Sequence, residues 1–175
     1  MGHVTNVTNL SSLASWTADQ FDPTLTWEDI AWIKDRWKGK LILKGIMDSE
    51  DAMLAVKAGA DAIIISNHGG RQLDGAPSTI SVLPEIVDAV NSKVEVHFDG
   101  GVRSGQDVLK ALALGADCIH IGRPYVYGLG AKGQEGVEIA IEIIKKELDL
   151  TMAMCGETNI SNVGLHNLHH NPFKN

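Results

Sequence analysis

The chain has no long hydrophobic run. None of its apolar stretches approaches the roughly 20 residues that a bilayer-crossing helix needs, which excludes a membrane span. Cysteine is nearly absent: Cys118 and Cys155 are the only two and stand far apart, so no disulfide framework is available. Free thiols in a reducing cytoplasm are expected. Positive charge is in deficit, with 15 Lys and Arg against 22 Asp and Glu and a formal net charge of −7. Without a cationic surplus to neutralise phosphates, general nucleic-acid binding is excluded, and any anionic ligand must be held by a local cluster. The first residues are polar and lack the basic-then-apolar pattern of a secretory signal. A cytoplasmic protein is expected, with no membrane association evident and a peripheral place at the inner membrane face as the alternative.

What remains is a hydrophobic content of 44% and a charged content of 21% over 175 residues, the make-up of one globular domain spanning 1–175. Four short apolar runs, LILK (41–44), AIIIS (62–66), VEVHF (94–98) and CIHIG (118–122), alternate with segments of helical periodicity. That order predicts parallel strands joined by helical crossovers. Thr26 with Asp29 predicts a capping box, Ser49 and Ser104 are placed to cap the next helices, and Gly59 and Gly115 stand where helices end. A final helix is expected over GVEIAIEIIKKELDLTMAM, followed from about Glu157 by a loose tail, 161–175 in the domain boundaries.

An internal repeat supports a βα architecture. DAMLAVKAGADAIIIS (51–66) aligns with DVLKALALGADCIHIG (107–122), sharing the leading Asp, the Gly-Ala-Asp turn and the alternating isoleucines. Repeated helix-to-strand units of this kind are expected of a barrel or another repeated βα architecture, and in βα barrels the active site lies at the carboxyl ends of the strands.

The strand endings are where the polar residues gather. Lys44-Gly45, Ser66-Asn67-His68-Gly69-Gly70-Arg71, Asp99-Gly100-Gly101-Val102-Arg103 and Gly122-Arg123-Pro124 follow the four apolar runs in turn. The last two read as a phosphate cradle: glycines let backbone N–H groups approach an anion, the helix after Ser104 offers its positive end, and Arg103 and Arg123 supply forked donors. Tight turns with exposed arginines are the bland alternative. At the second ending His68 offers an imidazole, a side chain suited to proton abstraction, within reach of Arg71, whose guanidinium can bind a carboxylate through two hydrogen bonds. His97 and His120 fall on the inward face with Asp99 and Gly122 and are expected to fill space there. His166, His169 and His170 have helical spacing but no evident acidic or cysteine partner, so no metal site is expected.

Taken together, LILKGI, SNHGGRQLDG, FDGGVRSGQDVLKALALGAD and IGRPYVYGL resemble the FMN-dependent α-hydroxy-acid oxidases and dehydrogenases, over about residues 10–160. The resemblance implies a TIM-barrel (β/α)8 fold of which these residues supply the C-terminal half, about four parallel βα units. It implies FMN as cofactor and a small 2-hydroxy acid, L-lactate foremost, as substrate. His68 would be the active-site base and Arg71 the substrate-carboxylate ligand. Lys44 would lie near the flavin N1 and O2, Ser66 against the flavin and Asp99 on the ribityl chain. Gly100, Gly101, Val102, Arg103, Gly122 and Arg123 would surround the phosphate.

The same resemblance implies that the first four strands are not in this sequence, nor are the tyrosine and arginine that help hold substrate or the aspartate that pairs with the base. A half-barrel leaves two sheet edges unpaired, so a homo-oligomer or a complementary N-terminal half is the expected partner. The alternative function is a non-catalytic half-barrel that binds phosphate or FMN, or self-associates, without turnover.

Overall fold

The computed structural model describes Trp16, Asp19 and residues 22–169; Leu10, where the resemblance begins, and His170 lie outside them. Strands β1 (Ile42–Ile46), β2 (Ala62–Ile65), β3 (Glu95–Asp99) and β4 (Cys118–His120) form one parallel sheet in the order β1-β2-β3-β4. Helices α1 (Trp27–Trp37), α2 (Ser49–Lys57), α3 (Thr79–Val90) and α4 (Gly105–Ala113) alternate with the strands, and α5 (Arg123–Lys132) and α6 (Gln134–Met154) follow β4. The four apolar runs of the sequence are these strands, displaced by a residue or two. The sheet is open, four strands where a closed barrel has eight.

Side chains alternate across each strand, and the two faces differ in kind. On one face Ile63, Ile65, Val96 and Phe98 pack with Leu83, Ile86 and Val90 of α3 and Val108 and Ala111 of α4 to form the core. Leu83 and Ile86 are fully buried, and truncating either to alanine should cost about 2–5 kcal/mol. The opposite face carries Lys44, Glu95, His97, Asp99, Cys118 and His120. The strands that build the core thus also present every polar inward residue to one side.

The internal repeat is a single device used twice. Gly59 (φ +84°) and Gly115 (φ +101°) end α2 and α4 in the left-handed region that favours glycine, with Ala60 N–H donating to Ala55 and Ala116 N–H to Ala111, both at 3.1 Å. The Asp that follows clasps the preceding strand. Asp61 Oδ2 accepts from Leu41 N–H at 2.8 Å, and Asp117 Oδ2 accepts from Val96 N–H at 2.7 Å. Each Asp returns its own amide to the carbonyl of the same residue, at 2.8 and 2.7 Å. Asp61 is also paired with Lys34 and Lys40, and these bonds hold its carboxyl far below the ordinary 3.8.

The helix starts agree with expectation at two of three places. Thr26 N–H donates to Asp29 at 2.7 Å, and Ser104 Oγ accepts from Asp107 N–H at 3.3 Å. Ser49 is not a cap: Asp48 precedes it, and its carboxylate accepts from Asp51 N–H at 2.9 Å, a negative charge on the positive end of α2. Ser49 Oγ instead donates to Glu85 on α3 at 2.8 Å. From Glu157 to His169 the tail folds into two short turns, Ile160–Asn162 and Leu165–Asn167. Glu157 anchors them, accepting from Asn167 at 2.9 Å and bonded to the His166 ring at 2.8 Å, while Leu168 packs on the core.

Candidate functional site

The four strand endings converge. Lys44, His68, Arg71, Asp99, Gly100, Gly101, Val102, Arg103, Gly122 and Arg123 all line one cleft of about 590 Å³, within the range of small-ligand sites. Ser66 lies just beneath it, 1% exposed. Every residue expected at the site from the sequence is therefore in or under one cavity. Gln72, His120, Pro124 and Val126 also line it.

Lys44, Ser66 and Asp99 form a chain across three strands. Lys44 Nζ donates to Ser66 Oγ at 2.9 Å, and Ser66 donates to Asp99 Oδ2 at 2.8 Å. Lys44 Nζ also lies 3.3 Å from the same carboxylate oxygen. Ser66 Oγ further accepts the His68 N–H at 3.2 Å, so one buried hydroxyl ties the cation, the acid and the loop carrying the histidine. This follows from register: Lys44 pairs with Ile64 and Ile64 with His97, so Ser66 and Asp99 stand two residues further along the same face.

The His68 loop is held in an unusual shape. Asn67 accepts from Gly69 N–H at 3.1 Å and donates to the Pro77 carbonyl at 3.1 Å, closing the loop at both ends. His68 itself has φ +56°, a left-handed conformation that non-glycine residues rarely take. Strain of this kind collects at binding and catalytic sites. The imidazole rests on β1 at Gly45, where φ is +105° and an added Cβ would lie 3.0 Å from His68 Cε1. A bulge in the β1–β2 register between Lys44 and Ile46 coincides with this glycine. Among the described residues no carboxylate is bonded to the His68 ring.

The anion end differs from the expectation in one respect. The start of α4 is already satisfied: Arg103 and Ser104 N–H donate to Asp107 at 3.0 and 3.1 Å, Gly105 N–H to Glu147 at 2.9 Å and Asp107 N–H to Ser104. Those amides have no donor left for a phosphate, because the capping box that makes α4 a good helix and the Glu147 carboxylate occupy them. The glycines just before it remain open. Nothing lies within 4 Å of a Cβ built on Gly101 or on Gly122, and Gly122 begins α5 with no side-chain cap. Arg123 Nη2 comes within 3.6 Å of the Cβ position on Gly69, so this guanidinium reaches from the fourth strand ending over to the second. The helix α5 was not expected from the sequence; Pro124 in its first turn was the available signal.

His97 and His120, expected as filler, are paired. His97 Nδ1 lies 3.1 Å from His120 Nε2, and His97 Nε2 lies 3.4 Å from Glu95. Burial, and then the neighbouring His97, hold the His120 imidazole below its ordinary 6.5.

Comparison with known proteins bears on this arrangement. The family profile described as FMN-dependent dehydrogenase matches residues 2–170, further than the span of 10–160 read from the motifs. The chain is 53% identical over 150 residues to 2-hydroxyacid oxidase 1 of Mus musculus, covering 86% of this chain and 40% of that protein. It is 47% identical over 154 residues to an L-lactate dehydrogenase of Vibrio cholerae serotype O1 (strain M66-2), covering 88% and 41%. Among solved structures, mandelate oxidase with (S)-4-hydroxymandelic acid superposes with a TM-score of 0.84 at 45% identity, over 88% of this chain and 43% of that one. The monotopic membrane protein (S)-mandelate dehydrogenase gives 0.85 at 38% identity, over 96% and 44%. The chain spans about two-fifths of the length of the curated relatives it matches. No helix among the described residues is long and apolar enough to cross a membrane. With a matching profile over nearly its whole length and a parallel βα half-sheet whose endings share one cleft, the chain belongs to the FMN-dependent dehydrogenase family.

Proposed function

We propose that this chain binds FMN in the cleft and supplies the proton-handling and carboxylate-binding half of a site that oxidises an L-2-hydroxy acid, L-lactate first, to the 2-keto acid. One observation carries the reading: His68, Arg71, the Lys44–Ser66–Asp99 chain and Arg123 open onto the same cavity. The cavity suits the cofactor, since Gly101 and Gly122 leave room at backbone level and Arg123 supplies the fork that phosphate oxygens prefer. FMN, when bound, would accept the two electrons that leave the hydroxyl-bearing carbon.

Each residue then has a task. Arg71 holds the substrate carboxylate, and His68 takes a proton as the hydroxy acid is oxidised. Lys44 provides fixed positive charge where negative charge develops. Ser66 fixes Lys44, and Asp99 keeps that pair in place while remaining open to the cleft for the ribityl hydroxyls. Gly100, Gly101, Val102, Arg103, Gly122 and Arg123 surround the phosphate. Arg103 contributes through its side chain, its amide being engaged by Asp107. Free Cys118 and Cys155 support a reducing compartment such as the cytoplasm.

A second reading is a half-site that binds FMN without turnover. Two observations favour it: β1 and β4 are open sheet edges, and no described carboxylate orients the His68 ring. Reconstitution separates the two. Protein purified with FMN should show flavin absorbance that bleaches when L-lactate is added anaerobically, and (S)-mandelate serves as the competing substrate. Retention of FMN with no bleaching by either acid assigns the second reading; failure to retain FMN refutes both.

A further inference from the structure

Three metal-ligating side chains meet on the inner face of β3 and β4. His97, Cys118 and His120 each offer one ligand atom, and the three atoms lie within 4.8 Å of one another. Register brings them together: His97 stands opposite Cys118, and His120, two residues on, points to the same side. Two nitrogens on one tetrahedral zinc, each at about 2.0–2.1 Å, lie about 3.3 Å apart. His97 Nδ1 and His120 Nε2 are 3.1 Å apart, so the pair is already near that spacing.

The surroundings suit a bound cation as well. The second nitrogen of His97 faces Glu95 Oε2 at 3.4 Å, the carboxylate–histidine arrangement that orients metal-binding imidazoles. His97 is 8% exposed and so fixed by packing, whereas Cys118 is exposed, leaving the fourth side of the cluster reachable. Lys44 is a nearby cation, and its charge is met by Asp99 at 3.3 Å. The competing reading is a plain hydrogen bond between two imidazoles, which gives neither Cys118 nor Glu95 a role.

We propose that His97, Cys118 and His120 bind one zinc ion, with Glu95 orienting His97 and a fourth coordination position open to water. Two nitrogens and a thiolate match the preference of Zn2+ for borderline and soft ligands, and three protein ligands with an open place is the pattern of accessible zinc sites. The ion would tie the three-residue edge strand β4 to β3. The site uses only residues of these two strands, and because His120 also lines the cleft proposed for FMN, the metal titration is read on the FMN-free chain.

The test is titration of the chelator-treated full chain with Co2+, followed by displacement with Zn2+. One equivalent of Co2+ should give the intense visible bands of tetrahedral cobalt and a near-ultraviolet thiolate charge-transfer band. Cys118→Ser should abolish the charge-transfer band, His120→Phe should weaken binding at least 100-fold, and Glu95→Gln should weaken it about 10-fold. Replacing His166, His169 and His170 together with alanine should leave the spectrum unchanged. Cys118 is exposed, so its variant should keep the wild-type circular dichroism. A weak octahedral cobalt spectrum in the wild type, a thiolate band that survives in Cys118→Ser, or loss of binding in the tail variant would each overturn the assignment.

Discussion

The two copies of the internal repeat are built alike and end in different residues. Both end a helix at a left-handed glycine, both clasp the preceding strand through the Asp of Gly-Ala-Asp, and both deliver a strand to the same cleft. They diverge at the strand end. The first copy runs into Ser66 and the strained His68 loop, the second into Gly122 and Arg123. In the proposed function one scaffold serves proton transfer in one copy and anion binding in the other, and the few residues past its strand decide which. Scaffold residues should therefore affect stability in both copies alike, and end residues should affect separate steps.

The largest expected effect is on the first copy's end. His68→Ala should slow anaerobic reduction of bound FMN by L-lactate by about 10²–10⁴-fold, the usual contribution of a general base. Stopped-flow flavin absorbance measures it, and a fall of less than about tenfold would remove His68 from that role.

The scaffold comparison comes next. Asp117→Ala leaves the Val96 N–H of a buried strand without its partner, so denaturant unfolding should show a loss of about 1–3 kcal/mol. Asp61→Ala should be destabilising in the same direction. The two copies part company in acid, because Asp61 also meets Lys34 and Lys40. Its folded carboxyl is more acidic than the ordinary 3.8, so the stability it contributes is complete above that value and declines as pH falls below it toward the folded value. An acid-unfolding midpoint shifted upward in Asp61→Asn would sharpen the contrast.

A smaller effect should follow at Gly45. Alanine there is strained at φ +105° and presses on the His68 ring, so the variant should slow flavin reduction several-fold and leave FMN affinity alone. Sedimentation at micromolar concentration addresses the open edges. Ile42 of β1 is 46% exposed, and self-association through β1 or β4 is expected; a stable monomer with a sharp unfolding transition would argue against it.

Much of this was legible in the sequence because it is local. Strand runs, helix periodicity and the Gly-Ala-Asp turn are near-neighbour patterns, and the strands lie within two residues of their expected places. The residues that line the cleft were legible for the same reason, each lying at or just past the end of an apolar run. What escaped depends on partners distant in sequence. Glu147, 42 residues away, takes the Gly105 amide at the start of α4. Glu157, nine and ten residues from His166 and Asn167, turns the expected loose tail into two anchored turns. The His97–His120 pair spans 23 residues and exists only through the β3–β4 register, which a strand-by-strand reading cannot see.

FMN titration of Arg123→Ala against His68→Ala tests the division of labour most directly, read by quenching of flavin fluorescence at fixed salt. Loss of one charge-assisted phosphate contact is worth about 1.5–3 kcal/mol, so Arg123→Ala should weaken FMN binding by about 10–150-fold while His68→Ala changes it less than about twofold. Equal losses in the two variants, or a larger loss in His68→Ala, would contradict the assignment of anion binding to one copy of the repeat and proton transfer to the other.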